Sequence, residues 1–182
     1  MVFAKGDWPN RRINLLMLKS FFKIVKDQAI IVDIGCGTNW VKEIPYSKNY
    51  FITGIDPEES EADFKATITS DDMWCKEHQN FFDAGVALNS LNFASTEGVI
   101  ENIVLAMNLL KKDSYLYLTL NQARIDKRDK VVTTSESDLV RKHENISNLI
   151  KEIFTIKVAY LYKNEGLNAT ICGHHHFILH KD

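Results

Sequence analysis

The sequence predicts an α/β fold in which a mostly parallel β-sheet ends in an antiparallel hairpin. Three observations support this prediction. Apolar runs of strand length alternate with segments of helical periodicity along most of the chain. The run 29–34 is short and almost uniformly apolar, as expected of a strand that is buried on both faces. The runs 154–163 and 169–181 flank the turn-forming sequence Asn-Glu-Gly-Leu-Asn, which is typical of a hairpin.

Length and composition favour a single domain. The chain has 182 residues, 45% of them hydrophobic, and we find no internal repeat and no linker rich in Pro, Gly or Ser. We therefore predict one domain over 1–182, with an N-terminal helical segment at 1–28 and the core at 29–182.

The net charge and the spacing of the cysteines limit the ligands and the cellular compartment that the sequence suggests. A formal net charge of −2 gives no general affinity for nucleic acids or membranes. The three cysteines are widely spaced and form no Cys-x-x-Cys pair, which suggests free thiols in a reducing compartment. No apolar run approaches the roughly 18 residues of a membrane span. We expect a cytoplasmic protein that does not bind membranes.

Periodicity and turn signals assign the elements in chain order. Apolar residues at helical spacing predict three helices, at 10–26, 97–111 and 137–153. The segment 40–48 is too short for a full helix. Five strands precede the hairpin and are predicted at 29–34, 49–56, 63–69, 84–93 and 114–121.

Two glycines follow the first strand, in the sequence Asp33-Ile-Gly35-Cys-Gly37. Glycines at this spacing allow a tight turn and let a ligand approach the backbone without a Cβ in the way. Asp56, 21 residues after Gly35 in the sequence, ends the second strand. An acid at this place can accept hydrogen bonds from the two hydroxyls of a ribose. The pattern indicates a nucleoside-containing ligand.

Dinucleotide binding is a competing interpretation. Its Gly-x-Gly-x-x-Gly pattern has a third glycine where this chain has Trp40. Pyrophosphate binding also requires a well-formed helix N-terminus, and Pro45 leaves little room for one after this loop. These two departures disfavour NAD.

From the first helix to the final hairpin, the sequence resembles class I S-adenosylmethionine (SAM)-dependent methyltransferases. The segment Val-Asp33-Ile-Gly-Cys-Gly-Thr-Asn39 is similar to the first motif of that family, with Asn39 where a third glycine often stands. The resemblance implies a Rossmann-like, mostly parallel seven-stranded sheet with an antiparallel C-terminal hairpin strand. It implies SAM as the cofactor.

The resemblance also implies roles for individual residues. Asp33 and the loop Gly35-Cys36-Gly37 would surround the methionine portion of SAM, and Asp56 would hold the ribose. Asp72 and Met73 would contact the adenine, although Asp71 or Asp72 would equally serve to cap a helix that begins near Met73. Asn89, at the end of the fourth strand, would face the sulfonium.

The methyl acceptor is not identified by the sequence. The fourth strand ends in Asn89-Ser-Leu-Asn92, which lacks the proline pair of many amino-group methyltransferases and offers no general base. Asn89 and Asn92 are weak catalytic candidates, since polar residues here often just bind loop backbone. The leading hypothesis is methyl transfer from SAM to an unidentified small molecule or nucleic acid. The alternative is a catalytically silent binding module that inhibits, neutralises or scaffolds a partner protein.

Two further features suggest ligands only weakly. His174, His176 and His180 share one strand face, but exposed imidazoles on an edge hairpin are the commoner outcome, and we predict no metal site. A basic stripe on the first helix would suit RNA phosphates, although a solvated helix face is the simpler interpretation. The stripe consists of Arg12, Lys19, Lys23 and Lys26.

Overall fold

A computed structural model describes residues 9–58, 61–92, 94–121, 146–164 and 172–182. The described residues form a six-stranded sheet in the spatial order β2-β1-β3-β4-β6-β5. The strands are β1 (Ile30–Ile34), β2 (Phe51–Ile55), β3 (Phe82–Leu88), β4 (Leu110–Asn121), β5 (Thr155–Asn164) and β6 (Cys172–Lys181). The first four strands are parallel, and β6 runs antiparallel to both β4 and β5. The predicted α/β architecture is confirmed.

The helices lie on both faces of the sheet. They are α1 (Pro9–Phe22), α2 (Trp40–Glu43), α3 (Met73–Glu77) and α4 (Thr96–Asn108), with a 3-10 turn at Pro45–Ser47 and a helix that covers 146–153. The connection after β1 contains no full helix, as its length predicts. The beginning of the predicted helix 137–153 and the tip of the hairpin lie outside the described residues. Across the part of the chain that the structure describes, no helix is long and apolar enough to cross a membrane.

Each face of the sheet is covered by its own apolar cluster. On one face, Leu18 and Phe21 of α1 pack with Tyr117 and Ile178. On the other, Ile103 of α4 belongs to a cluster with residues of β1, β3, β4 and β6. Because both faces are covered, β1 is nearly continuously buried, which explains its uniformly apolar sequence.

The prediction of a seventh strand at 63–69 is wrong. Only Phe64 forms a β-bridge, to Ile55. The backbone N–H groups of both Asp63 and Phe64 donate to the same carbonyl, that of Gly54, and the N–H of Thr67 donates to the Asp72 side chain. These bonds replace a regular ladder, so the alternating sequence does not become a strand.

The prediction of exposed imidazoles at the sheet edge is also wrong. β6 lies between β4 and β5, and His175 and His176 are only 2% and 0% exposed. The Tyr117 hydroxyl lies 3.0 Å from His176 Nδ1, within hydrogen-bond distance. His180 lies beside Asp182, with its Nδ1 2.8 Å from a carboxylate oxygen. Within the described residues, no three His, Cys, Asp or Glu side chains come together to hold a metal ion.

Asp83 joins three elements at the amino ends of the strands. Its carboxylate accepts hydrogen bonds from the Lys26 and Lys111 ammonium groups at 2.8 and 2.9 Å and from the Ile30 backbone N–H at 2.9 Å. Lys26, one residue of the basic stripe, therefore pairs within the protein. Burial raises the pKa of Asp83, but the hydrogen bonds from Lys26, Ile30 and Lys111 outweigh it and lower the pKa to about 2.

We expect Asp83→Asn to lower the free energy of unfolding by about 1–3 kcal/mol at neutral pH, because an amide oxygen is a weaker acceptor for two ammonium groups. The pKa of Asp83 is lower in the folded state than in the unfolded state. Its stabilisation is therefore present at neutral pH and is lost as the pH falls from its ordinary value of 3.8 toward about 2. Urea denaturation across this range measures the effect, and a difference between the two proteins that does not shrink toward low pH would contradict the assignment.

Candidate functional site

The loop after β1 turns through two left-handed glycines. Gly35 has φ of +65° and Gly37 has φ of +53°. The N–H groups of Gly35 and Cys36 both donate to the Ile55 carbonyl, at 2.7 and 3.1 Å. The end of β2 thus holds the start of this glycine loop (residues 35–37), and a side chain at either glycine would strain the turn.

The two glycines have different surroundings. A Cβ at Gly35 would lie 2.2 Å from the Ser90 Cβ, so the loop after β3 packs directly on the Gly35 backbone. A Cβ at Gly37 would meet no atom within 4 Å. Gly35 thus serves the packing of two loops, whereas Gly37 presents bare backbone to open space where a ligand can approach.

Asn39 completes the turn. It has φ of +57°, a left-handed conformation that Asn tolerates better than most residues, and it stands at the N-cap position of α2. Its side chain lies against Gly54, where a Cβ would be only 1.9 Å from Asn39 Oδ1. Asn39 therefore links the glycine loop to β2 through its side chain, which a third glycine at this position would lack.

Asp56 lies beside the glycine loop. One of its carboxylate oxygens accepts a hydrogen bond from the Gly37 N–H at 3.3 Å, and the other accepts from the Glu58 N–H at 3.0 Å. The carboxylate is thus oriented by backbone on both sides and remains partly exposed. The predicted ribose acid and the glycine loop thus lie in contact at the carboxyl ends of β1 and β2, where open α/β sheets have their ligand crevice.

Asp33 is buried beneath this crevice. It is 1% exposed, and its Oδ2 has no hydrogen-bond partner among the described residues. Burial raises the pKa of Asp33 to about 7, with smaller contributions from the nearby charges of Lys42, which lowers the pKa, and of Asp56 and Asp63, which raise it. A buried carboxylate of this kind costs free energy unless a cation or a donor meets it.

Cys36 and Lys42 complete the surroundings. Burial, followed by the charges of Asp33 and Asp56, raises the pKa of the Cys36 thiol to about 12, so the thiol stays protonated and unreactive at neutral pH. Lys42 forms an ion pair with Asp63, whose carboxylate also accepts from the Gly54 N–H at 2.6 Å. The ion pair fixes the flank of the crevice next to β2.

The two residues predicted to contact adenine, Asp72 and Met73, have different surroundings in the structure. Asp72 caps α3: one oxygen accepts from the N–H groups of Trp74 and Cys75, and the other accepts from the Thr67 N–H. The capping alternative therefore describes what Asp72 does. Met73 is 72% exposed, and its predicted contact with adenine stays a prediction.

The loop after β3, residues 89–92, contains both catalytic candidates. Asn89 has φ of +57°, and its N–H donates to the Thr119 carbonyl and hydroxyl at 3.0 and 2.9 Å. Asn92 is fully buried; with its amide oriented to satisfy both groups, its nitrogen donates to the Asn89 carbonyl and its oxygen accepts from the Asn121 N–H. Asn92 thus holds two chain segments together.

Sequence reasoning missed Ser90. Its backbone and Cβ lie against Gly35, and its buried Oγ has no partner among the described residues. The sequence contains no motif that singles out this serine. Its position becomes evident only once the loops after β1 and β3 are placed side by side.

Comparisons with known proteins identify the fold. No protein-family model matches the sequence, and no curated protein matches it. Solved structures do match. The N-methyltransferase NodS from Bradyrhizobium japonicum WM9, in complex with S-adenosyl-L-homocysteine (SAH), is 14% identical, with 96% of this chain and 89% of NodS covered and a TM-score of 0.62.

Two archaeal structures are similar as well. A SAM-dependent methyltransferase from Methanosarcina mazei is 17% identical, with 91% of this chain and 96% of that one covered and a TM-score of 0.54. Another, from Archaeoglobus fulgidus, is 14% identical, with 94% of each chain covered and a TM-score of 0.56. The chain has the Rossmann-like fold of class I methyltransferases, with six strands in the described residues instead of the predicted seven.

Proposed function

We propose that this protein binds SAM at the carboxyl ends of β1 and β2 and transfers its methyl group to an acceptor. The observation that carries the proposal is the convergence of Asp33, Gly37 and Asp56 on one crevice. The fold is shared with SAM-dependent methyltransferases, one of which has SAH bound, and this supports the choice of ligand.

The residues present fit this cofactor. Asp56 offers a partly exposed carboxylate to the two ribose hydroxyls. The bare backbone at Gly37 leaves room for the methionine portion. Asp33 supplies buried negative charge for a ligand that carries an ammonium and a sulfonium group. Met73 and Asp72, the N-cap residue of α3, are proposed to contact the adenine, and Asn89 is proposed to face the sulfonium.

Bound SAM supplies an electrophilic methyl carbon on positively charged sulfur, and its transfer leaves neutral SAH. The reaction depends mainly on alignment and exclusion of water. The chain contributes a preorganised crevice: β2 holds the glycine loop through Ile55 and Asp56, and β4 holds the loop after β3 through Thr119. We propose that the methyl acceptor is a small molecule, with a nucleic acid such as RNA as the less favoured acceptor. We also propose that the protein is cytoplasmic.

Titration calorimetry with SAM, SAH and NAD tests this function. We expect SAM and SAH to bind and NAD to bind at least about tenfold more weakly, because Trp40 and Pro45 disfavour a pyrophosphate site. Failure of both adenosyl ligands to bind at millimolar concentration would overturn the proposal. The binding-module alternative would then be tested by recovery of one stoichiometric partner protein from the native host.

A further inference from the structure

The end of α1 and the 3-10 turn at Pro45–Ser47 are joined on the surface of the protein. Lys19 Nζ lies 5.7 Å from the centre of the Tyr46 ring, which is a cation–π contact. Tyr50, just after the turn, stacks on Phe22 with ring centres 4.8 Å apart, and its hydroxyl donates to the Phe22 carbonyl at 2.6 Å. These contacts make α1 and the chain that leads into β2 one continuous surface.

This surface carries positive charge that the described residues do not pair. Lys19, Lys23 and Lys48 are exposed, and none of them forms an ion pair with a described residue. Lys26 and Lys42, by contrast, are each paired with an aspartate. Three ammonium groups on this surface are therefore available to bind an anionic partner.

Exposed aromatic rings lie among these lysines. Tyr46 is 39% exposed and Phe51 is 66% exposed. Phe51 lines an open cavity at the edge of β2 together with Lys42 and Lys48, and the described residues that line this cavity include no acid. Ammonium groups next to exposed rings suit single-stranded nucleic acid, because phosphates bind the charges and bases stack on the rings.

The surface lies away from the candidate functional site. Lys23 is in the connection to β1, and Lys48 is in the connection to β2, so both are near the amino ends of these strands. The glycine loop and the ribose acid are at the carboxyl ends of the same strands. The exposed acids Asp27 and Glu43 lie in the same two connections, so we count only the three unpaired lysines as phosphate contacts.

We propose that the surface formed by Lys19, Lys23, Tyr46, Lys48 and Phe51 binds single-stranded nucleic acid without sequence preference. The three ammonium groups contact phosphates, and the two rings stack on bases. The inference does not rest on the proposed methyl transfer, because the strand binds outside the candidate site and is not the methyl acceptor.

The test is fluorescence anisotropy with a labelled oligouridine of about ten nucleotides, at salt concentrations from about 50 to about 200 mM. Three phosphate contacts predict a slope of about −2 for log K against log salt concentration. The double variant Lys23→Gln, Lys48→Gln leaves one contact. We expect it to weaken binding about tenfold or more at the lowest salt and to reduce the slope to about −0.7.

The matched control is the double variant Lys76→Gln, Lys112→Gln. Both residues are exposed and lie in α3 and β4, so this variant changes the net charge equally without touching the proposed surface. We expect it to change the affinity less than about twofold. Equal effects of the two double variants, or no binding by the wild type at the lowest salt, would overturn the proposal.

Replacement of Phe51 by alanine tests the stacking contribution. We expect it to weaken binding about tenfold and to leave the salt slope unchanged, because stacking releases no counterions. Phe81→Ala, at a ring that is 45% exposed and precedes β3, is the control and should have no effect on binding. Thermal melting verifies that each variant is folded, and a folded Phe51→Ala protein with wild-type affinity would contradict the proposal.

Competition distinguishes nucleic acid from other anionic partners. We expect unlabelled oligouridine to displace the probe at concentrations at which polyglutamate does not, since a carboxylate polymer has no bases to stack. Equal displacement by polyglutamate would identify an acidic peptide as the partner and overturn the assignment. Oligothymidine of the same length shows whether RNA or DNA binds more tightly.

Discussion

Replacement of Asp56 by alanine is expected to weaken SAH binding at least about 100-fold. A carboxylate that accepts two hydroxyl hydrogen bonds contributes about 1.5–3 kcal/mol for each bond, and the variant also removes the acceptor that holds the Gly37 N–H at 3.3 Å. Calorimetry with SAH measures the loss. Asp56→Asn keeps an oxygen for the backbone and is expected to give an intermediate affinity.

The control for Asp56→Ala is Asp113→Asn. Asp113 is exposed near the amino end of β4, with φ of +59° that Asn also tolerates, so this change removes one negative charge far from the crevice. It is expected to leave SAH affinity unchanged. Unchanged affinity in Asp56→Ala, with melting that shows a folded protein, would refute the ribose assignment.

A second large effect is expected at Asp33, whose pKa is raised to about 7. Burial is the main cause, Asp56 and Asp63 add to it, and Lys42 opposes it. Because the pKa is higher in the folded than in the unfolded state, the ligand-free protein loses stability as the pH rises from 3.8 toward about 7. Asp33→Asn removes this cost and is expected to stabilise the ligand-free protein by about 2–4 kcal/mol at neutral to mildly alkaline pH.

The same variant is expected to bind SAH more weakly, since the ionised carboxylate favours the cationic ammonium group. The wild-type affinity, divided by the Asp33→Asn affinity, should rise with pH up to about 7 and then level off. Taking the ratio cancels the titration of the ligand itself. Calorimetry at several pH values and urea denaturation without ligand measure both effects. A ratio independent of pH would show that Asp33 does not titrate in this range.

The parts of the site that the sequence predicts are those in which backbone conformation dictates the residue. Gly35 and Gly37 both adopt positive φ. Asn39 stands where class I methyltransferases often have a third glycine, and it adopts the left-handed conformation expected at that position. Asp56 lies where its spacing from the glycines indicates. Such positions are predictable because few residues tolerate the conformation or supply the chemistry.

The parts that the sequence does not predict depend on tertiary contacts. Alternation at 63–69 indicates a strand, but the Asp63 and Asp72 side chains capture backbone N–H groups that a ladder would use. β4 begins at Leu110, inside the predicted helix 97–111, because its parallel register with β3 starts at Phe82. The hairpin is a similar case. Its second strand, β6, lies inside the sheet, which buries His175 and His176. No local feature of the sequence distinguishes this arrangement from a hairpin whose second strand lies at the sheet edge.

The position of β6 between β4 and β5 has a consequence for how the protein is made. Strands β1 to β4 can associate as they emerge from the ribosome, since β2, β3 and β4 each pair with a strand already synthesised. β5 pairs only with β6 among the described strands, and the free edge of β4 stays open until residues 172–181 have been translated. Pairing across this sequence distance is slow. During synthesis, the edge of β4 therefore stays unpaired until β6 is added, and an open strand edge of this kind favours aggregation.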